Sequence, residues 1–308
     1  MKKNKSKLIV LLLIVTLLTG CTKTLKGSDK KVVTNPETGQ SLTENILCRP
    51  IDEKTMELYK NNGVDISKVP TCDNFTPTSG GYEGLWANIF VKPLAFLILW
   101  ISKFVGSAAL SLIITTLLIR LVAYPLTNKT AMQSELIKKA QPDLDRLEKK
   151  YKDKTDQDSL MKKSQEMTMI YKKNNINPLS GCLFGLIQLP LFFAFLEAIN
   201  RIPAVFEENF LTLQMGTTPW IGIFTRGNWF YLILVVLIGI TTYFSMNLNK
   251  TATTNENDPM KSMSNIMTIM ILIMSFFMPA ALGIYWIASN AFTIIQNLIV
   301  KRSKKLNG

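Results

Sequence analysis

Residues 111–129 read SLIITTLLIRLVAYPLTNK, and this stretch decides the class of the fold. Taken from Gly106, it makes an apolar run as far as Tyr124, about the 20 residues a helix needs to cross a bilayer. Arg120 stands inside that run. A charge at mid-span costs about 2.5–3.5 kcal/mol on insertion scales, and such residues usually face a wet cavity. The other reading is that Arg120 snorkels to headgroups beyond Tyr124, since it lies in that half of the run. Thr116, four residues earlier, shares its helical face and extends the polar strip inward.

Four more spans follow, at 179–199, 229–248, 264–281 and 283–300, the last two separated by a turn at Pro279. Ahead of the first span, 85–104 is amphipathic, interrupted by Trp86, Lys92, Trp100 and Lys103. That pattern suits a helix lying in the interface. The class is therefore an all-α membrane protein with five transmembrane helices. Lysines and an arginine crowd 128–177, and Lys301, Arg302, Lys304 and Lys305 fill the tail. Basic loops stay in the cytosol, so five spans start outside and end inside. The chain is expected in a bacterial cell membrane, multi-pass, with its N-terminus outside.

The N-terminus agrees. Four lysines precede an apolar run from Leu8 to Leu18, the pattern of a secretory signal over 1–20. Leu18-Thr19-Gly20-Cys21 resembles the lipobox of bacterial lipoproteins, in which the cysteine carries a diacylglyceryl group; the alternative is an uncut first helix. Residues 21–83 are polar and turn-rich and hold no motif that points to a function. Outside the cytosol Cys48 and Cys72 are free to pair as a disulfide, or to stay as two thiols.

Residues 129–177 read as a cytosolic helical hairpin, with Leu144, Leu147 and Tyr151 on one arm and Leu160, Met167 and Tyr171 on the other. It serves either as a spacer or as a docking surface. Polar residues also fall within spans: Gln188, Thr241, Thr242, Ser289, Asn290 and Gln296. Alone each suits an interhelical hydrogen bond; with Arg120 they suit the lining of one hydrophilic groove. Gly181 and Gly185 make a GxxxG pair. Met260, Met263, Met267, Met270, Met274 and Met278 share one helical face, apt for packing on a neighbour or for meeting varied apolar partners. The chain has no histidine, which removes the commonest general base and metal ligand together. Its four cysteines lack zinc spacing, and no nucleotide loop or nucleophile–base pair is present. Neither an enzyme activity, a cofactor nor a metal is expected. The net charge of +13 suits anionic lipid or nucleic acid as a neighbour.

Several blocks together resemble the YidC/Alb3/Oxa insertases, over about 84–300. They are Ile119-Arg120-Leu121 leading into Pro125-Leu126-Thr127, Asn177-Pro178-Leu179-Ser180-Gly181-Cys182, Gln188-Leu189-Pro190, and Tyr285-Trp286-Ile287-Ala288-Ser289-Asn290 with Gln296. With the lipobox and five spans, the chain is similar to the Gram-positive branch. Two features depart from it: the long segment 22–83, and Phe184 where a proline often stands. The resemblance implies five helices around a hydrophilic groove open to the cytosol and to lipid. Arg120, Thr116, Gln188 and Asn290 would give it polarity, while Leu189, Phe192, Tyr285 and Trp286 would meet the client's apolar segment. The implied partners are nascent membrane proteins, the Sec translocon, the ribosome or signal-recognition targeting factors, and the lipid bilayer, with no DNA. The rivals are an anion transporter, against which the lack of an internal repeat counts, and a lipoprotein scaffold that would tolerate loss of Arg120. Read this way, the chain divides into the signal 1–20, the lipid-anchored segment 21–83, the interfacial helix and first span 84–128, the hairpin 129–177, spans two to five over 178–300, and the basic tail 301–308.

Overall fold

The computed structural model describes residues 22–177, 179–249 and 259–306, with side chains throughout except at 130, 179–187, 249, 259–264 and 303–306. The signal peptide and Cys21 lie outside the described residues, as do the side chains of Gly181, Cys182, Phe184, Gly185, Met260, Met263, Lys304 and Lys305. The fold is helical. Among the described residues, four helices are long and apolar enough to cross a membrane: Ala87–Val105, Ala108–Lys139, Phe230–Leu248 and Ala280–Arg302; Asn265–Ser275 is a shorter apolar helix. The stretch read as interfacial is thus also long enough to span, by length and composition alone.

Contacts divide the chain into two compact units. The first takes the described residues up to Leu118, with Leu189–Val236 and Met274–Ala288. The second takes Ile119–Gln188, Leu237–Ile273 and the chain from Ser289.

In the first unit, the polar segment without a motif is a folded domain. Antiparallel bridges pair Thr24 with Thr43, Lys26 with Val32 and Thr34 with Ser41. Helix α1, Glu53–Asn61, starts on Asp52, whose carboxylate accepts from Thr55 N at 2.8 Å, a standard way to satisfy a helix's free N–H groups. Leu25, Leu42, Ile46, Tyr59 and Ile66 form its core. Cys48 and Cys72 are joined as a disulfide with Cα atoms 4.7 Å apart. Closing a loop of 24 residues restricts the unfolded chain by about 3 kcal/mol in the entropic account. Cys48→Ser with Cys72→Ser should therefore make the segment much more open to trypsin, cut at Lys54 and Lys60; unchanged cleavage would mean the rest of the domain holds it without the bridge.

The same segment seats on the residues that follow the second span. Leu47 N donates to Arg201 O at 2.8 Å, and Ile51 N and Asp52 N donate to Glu207 Oε2 at 2.9 and 3.3 Å. Burial raises the pKa of Glu207 above the ordinary 4.5, against those two N–H groups, and the nearby Asp52 charge adds to the rise. A raised folded-state pKa means the folded chain holds this proton more tightly than the unfolded one. Stability from Glu207 is then full below the ordinary carboxylate range and fades as pH rises through the folded value. Melting curves between pH 4 and 7 should show this fall in the wild type and a flatter profile in Glu207→Gln; equal slopes would contradict it.

After a π-turn at Ala87–Val91, α2 runs Lys92–Val105 and stops at Gly106, whose φ of +70° only a residue without Cβ adopts freely. Helix α3, Ala108–Lys139, continues through Pro125 as one element and passes from the first unit to the second. In the second unit, α4 (Gln141–Lys150) and α5 (Gln157–Lys173) form the hairpin. Leu147 and Tyr151 are buried, but Leu160 is exposed and α5 buries no residue. The arms meet instead through Lys150–Glu166 at 2.6 Å, Lys163–Glu148 at 2.9 Å and Tyr151 OH donating to Glu166 at 2.9 Å. Exposed pairs of this kind add little stability, so the stripe read on the return arm is not a packed seam.

The remaining long helices are α6 (Leu179–Arg201, containing Pro190), α9 (Phe230–Asn249), α10 (Pro259–Ser275) and α11 (Ala280–Leu306). Between α6 and α9 lie the short helices α7 (Pro203–Phe206) and α8 (Pro219–Phe224), with a two-residue hairpin, β1 (Asn209–Phe210) and β2 (Leu213–Gln214). Helix α10 ends at Ser275, short of the 281 read from hydropathy. The following turn is held by this loop: Trp220 N donates to Phe276 O at 2.9 Å, and Ala280 N and Ala281 N donate to Thr217 O and Met215 O at 3.0 Å. Those bonds satisfy the first N–H groups of α11, which have no partner inside the helix. Hydropathy cannot register such a stop, because the turn residues are themselves apolar.

Candidate functional site: the buried arginine and the exposed aromatic face

Ile119-Arg120-Leu121 lies within α3, and the partners of the arginine come from distant parts of the chain. The Arg120 side chain is buried, and its Nη2 donates to Gln188 Oε1 at 2.6 Å and to Ser289 Oγ. All three residues belong to the second unit. These two bonds, to an amide oxygen and a hydroxyl, orient the guanidinium. Further polar pairs occur in the same unit. Asn290 Nδ2 donates to Thr242 Oγ1 at 3.0 Å, and Gln296 Nε2 donates to Thr127 Oγ1 at 2.9 Å.

The other residues read from the sequence fall in the first unit. Thr116 is buried, and its hydroxyl donates to Leu112 O at 2.7 Å, one turn back. That bond occupies its only proton, so Thr116 offers at most an acceptor. Tyr285 is fully buried and stacks on Phe195 with centroids 4.3 Å apart. Leu189 is half exposed; Phe192 meets Trp286 edge-on at 5.3 Å, and both are part-exposed. In the second unit, Met267 and Met270 on α10 are exposed.

Two sets were not singled out from the sequence. Ser289 was counted among polar span residues, yet its direct bond to Arg120 joins positions 169 residues apart. The second set is a buried ionic cluster in the first unit. Arg201 Nη1 meets Glu197 at 3.0 Å, Nη2 meets Glu83, and Nε donates to Asn45 O at 2.6 Å. Lys92 Nζ meets Glu83 at 3.0 Å, and Trp86 Nε1 donates to Glu197 at 3.0 Å. The sequence signal was available: Glu197 and Arg201 stand four apart at the end of an apolar helix, a spacing that places both on one face.

Comparison with known proteins gives the family. The one described as 60Kd inner membrane protein matches residues 100–307. "Membrane protein insertase YidC 1" of Listeria monocytogenes is 34% identical over 230 residues, 74% of this chain and 76% of that protein. "Membrane protein insertase YidC 2" of Bacillus anthracis is 37% identical over 227 residues, 73% of this chain and 84% of that protein. "Membrane protein insertase MisCA" of Bacillus subtilis is 34% identical over 226 residues, 73% and 82% of the two chains. A solved structure described as "Active YidC insertase crystal structure with the first transmembrane domain resolved" is similar at a TM-score of 0.47 and 23% identity, over 72% of this chain and 47% of that one. By its sequence relatives, this chain is a member of the 60Kd inner membrane protein family, the family of the YidC membrane protein insertases.

Proposed function

We propose that Arg120 is the electrostatic element of insertion: a fixed intramembrane cation that transiently attracts acidic residues in a client's exported tail. The observation that carries this is its burial, with an amide and a hydroxyl, those of Gln188 and Ser289, holding the guanidinium. Opposite unit charges 4 Å apart at an effective dielectric of 20 attract by about 4 kcal/mol, enough to offset much of the cost of bringing a carboxylate into the membrane. Asn290 adds a polar contact in the second unit, while Leu189, Phe192 and Trp286 in the first offer the client's apolar segment a surface. Burial of that segment in lipid supplies the driving force, so no nucleotide is required. The N-terminus, lipidated at Cys21, lies outside the cell and the tail with Lys301 and Arg302 in the cytosol. There the hairpin and tail receive clients from the ribosome or targeting factors, alone or beside the Sec translocon.

The test uses the reconstituted chain in liposomes and a single-span client whose exported tail carries acidic, neutral or basic residues. Insertion should rank acidic over neutral over basic, with weak dependence on salt, since buried charges are poorly screened. Equal yields for the three tails would remove the electrostatic role.

A further inference from the structure

We infer that residues 22–83 are a positioning domain for the second span: through Arg201 and Glu83 they fix the end of α6, and so the apolar face that α6 presents.

Helix α6 has a weak point and an anchored end. Pro190 has no N–H to donate, so the helix loses a hydrogen bond where the chain enters the first unit. Beyond it, the stretch to Arg201 is held by its packing, with Phe195 on Tyr285, and by the contacts at its far end. That end is held from one side. Ala194, Phe195, Glu197, Ala198, Ile199 and Arg201 are buried, whereas Leu189 and Phe193 are exposed and Phe192 and Leu196 part-exposed. At roughly 100° per residue, the buried set occupies one arc and the exposed set the opposite one. Fixing the Arg201 side therefore fixes the direction in which Leu189 and Phe192 point.

What fixes Arg201 is the domain. Its Nε donates to Asn45 O at 2.6 Å, its carbonyl accepts from Leu47 N at 2.8 Å, and its Nη2 pairs with Glu83. Next to it, Asn200 O accepts from Thr43 Oγ1 at 3.4 Å. Glu83 is shared with Lys92, which also donates to Ser79 O at 2.8 Å and Gly81 O at 2.5 Å. The end of the domain is thus tied to α2 and α6 by one cluster in which Lys92 and Arg201 face Glu83 and Glu197. The disulfide Cys48–Cys72 lies a few residues from Asn45 and Leu47 and keeps that stretch in shape. Arg201 and Glu83 are positioning residues; given the client-facing role proposed above for Leu189 and Phe192, they act on insertion through α6.

The experiment compares the full reconstituted chain with Glu83→Gln and with Cys48→Ser/Cys72→Ser. Three readouts are taken: trypsin cleavage within 22–83, client insertion, and cross-linking of client to a photoreactive residue at position 192. Glu83→Gln should speed cleavage, lower insertion about fivefold or more, and lower cross-linking in step, with the helical circular-dichroism signal retained at the assay temperature; the cysteine pair should behave alike. Faster cleavage with unchanged insertion would overturn the positioning role. Unchanged cleavage in Glu83→Gln would overturn the ionic joint itself. Loss of insertion without any cross-link in the wild type would leave the positioning role standing and count instead against Phe192 as a client contact.

Discussion

Arg120→Ala should reduce insertion of a client with an acidic tail at least tenfold, while Arg120→Lys retains most of it. A tenfold change corresponds to about 1.4 kcal/mol, about a third of the attraction available to a buried charge pair at 4 Å. Alanine leaves Gln188 and Ser289 behind, and both are neutral, so neither is stranded as a buried charge. Lysine keeps the charge but loses the planar fork that reaches two partners at once, so a moderate deficit is expected. A client with a neutral tail should be far less affected by either change. Wild-type yields in Arg120→Ala with the acidic client would mean that the side chain serves packing and that the driving force lies elsewhere.

The second large effect concerns stability. Arg201→Ala should destabilise the first unit by about 3–5 kcal/mol, the usual cost of removing one member of a buried ion pair. The loss is this large because Glu197 is buried and loses its guanidinium partner, although Glu83 keeps Lys92. Thermal unfolding in detergent, followed by tryptophan fluorescence, measures it; Trp86 reports directly because its indole donates to Glu197. Combining Arg201→Ala with Glu197→Gln should restore part of the stability by removing the stranded charge. If the single variant melts with the wild type, the cluster is solvated and its role in holding α6 is small.

The two arginines differ in how visible they were. Arg120 was legible because it interrupts a long apolar run, and the cost of a charge in hydrocarbon is a local property of the sequence. Arg201 was easy to pass over, since a cation at the end of a span is commonly a headgroup contact. Its partners Glu83 and Asn45 come from 118 and 156 residues away, and no local pattern connects them. Segment 22–83 shows the same limit. Leu25, Leu42, Ile46, Tyr59 and Ile66 keep no single period over the segment, so they read as scattered apolar residues in a polar stretch, yet they meet as a core.

By itself, the sequence determined the helical membrane class, the apolar segments and the candidate charge, because lipid selects side chains residue by residue along a helix. Tertiary structure alone decided that Ser289 joins Gln188 on Arg120, that Tyr285 is buried against Phe195, that α10 stops at Ser275, and that the polar segment is a domain tied to α6. Each of these depends on groups far apart in the chain meeting in space, where desolvation rewards pairing and local periodicity carries no record of the partner.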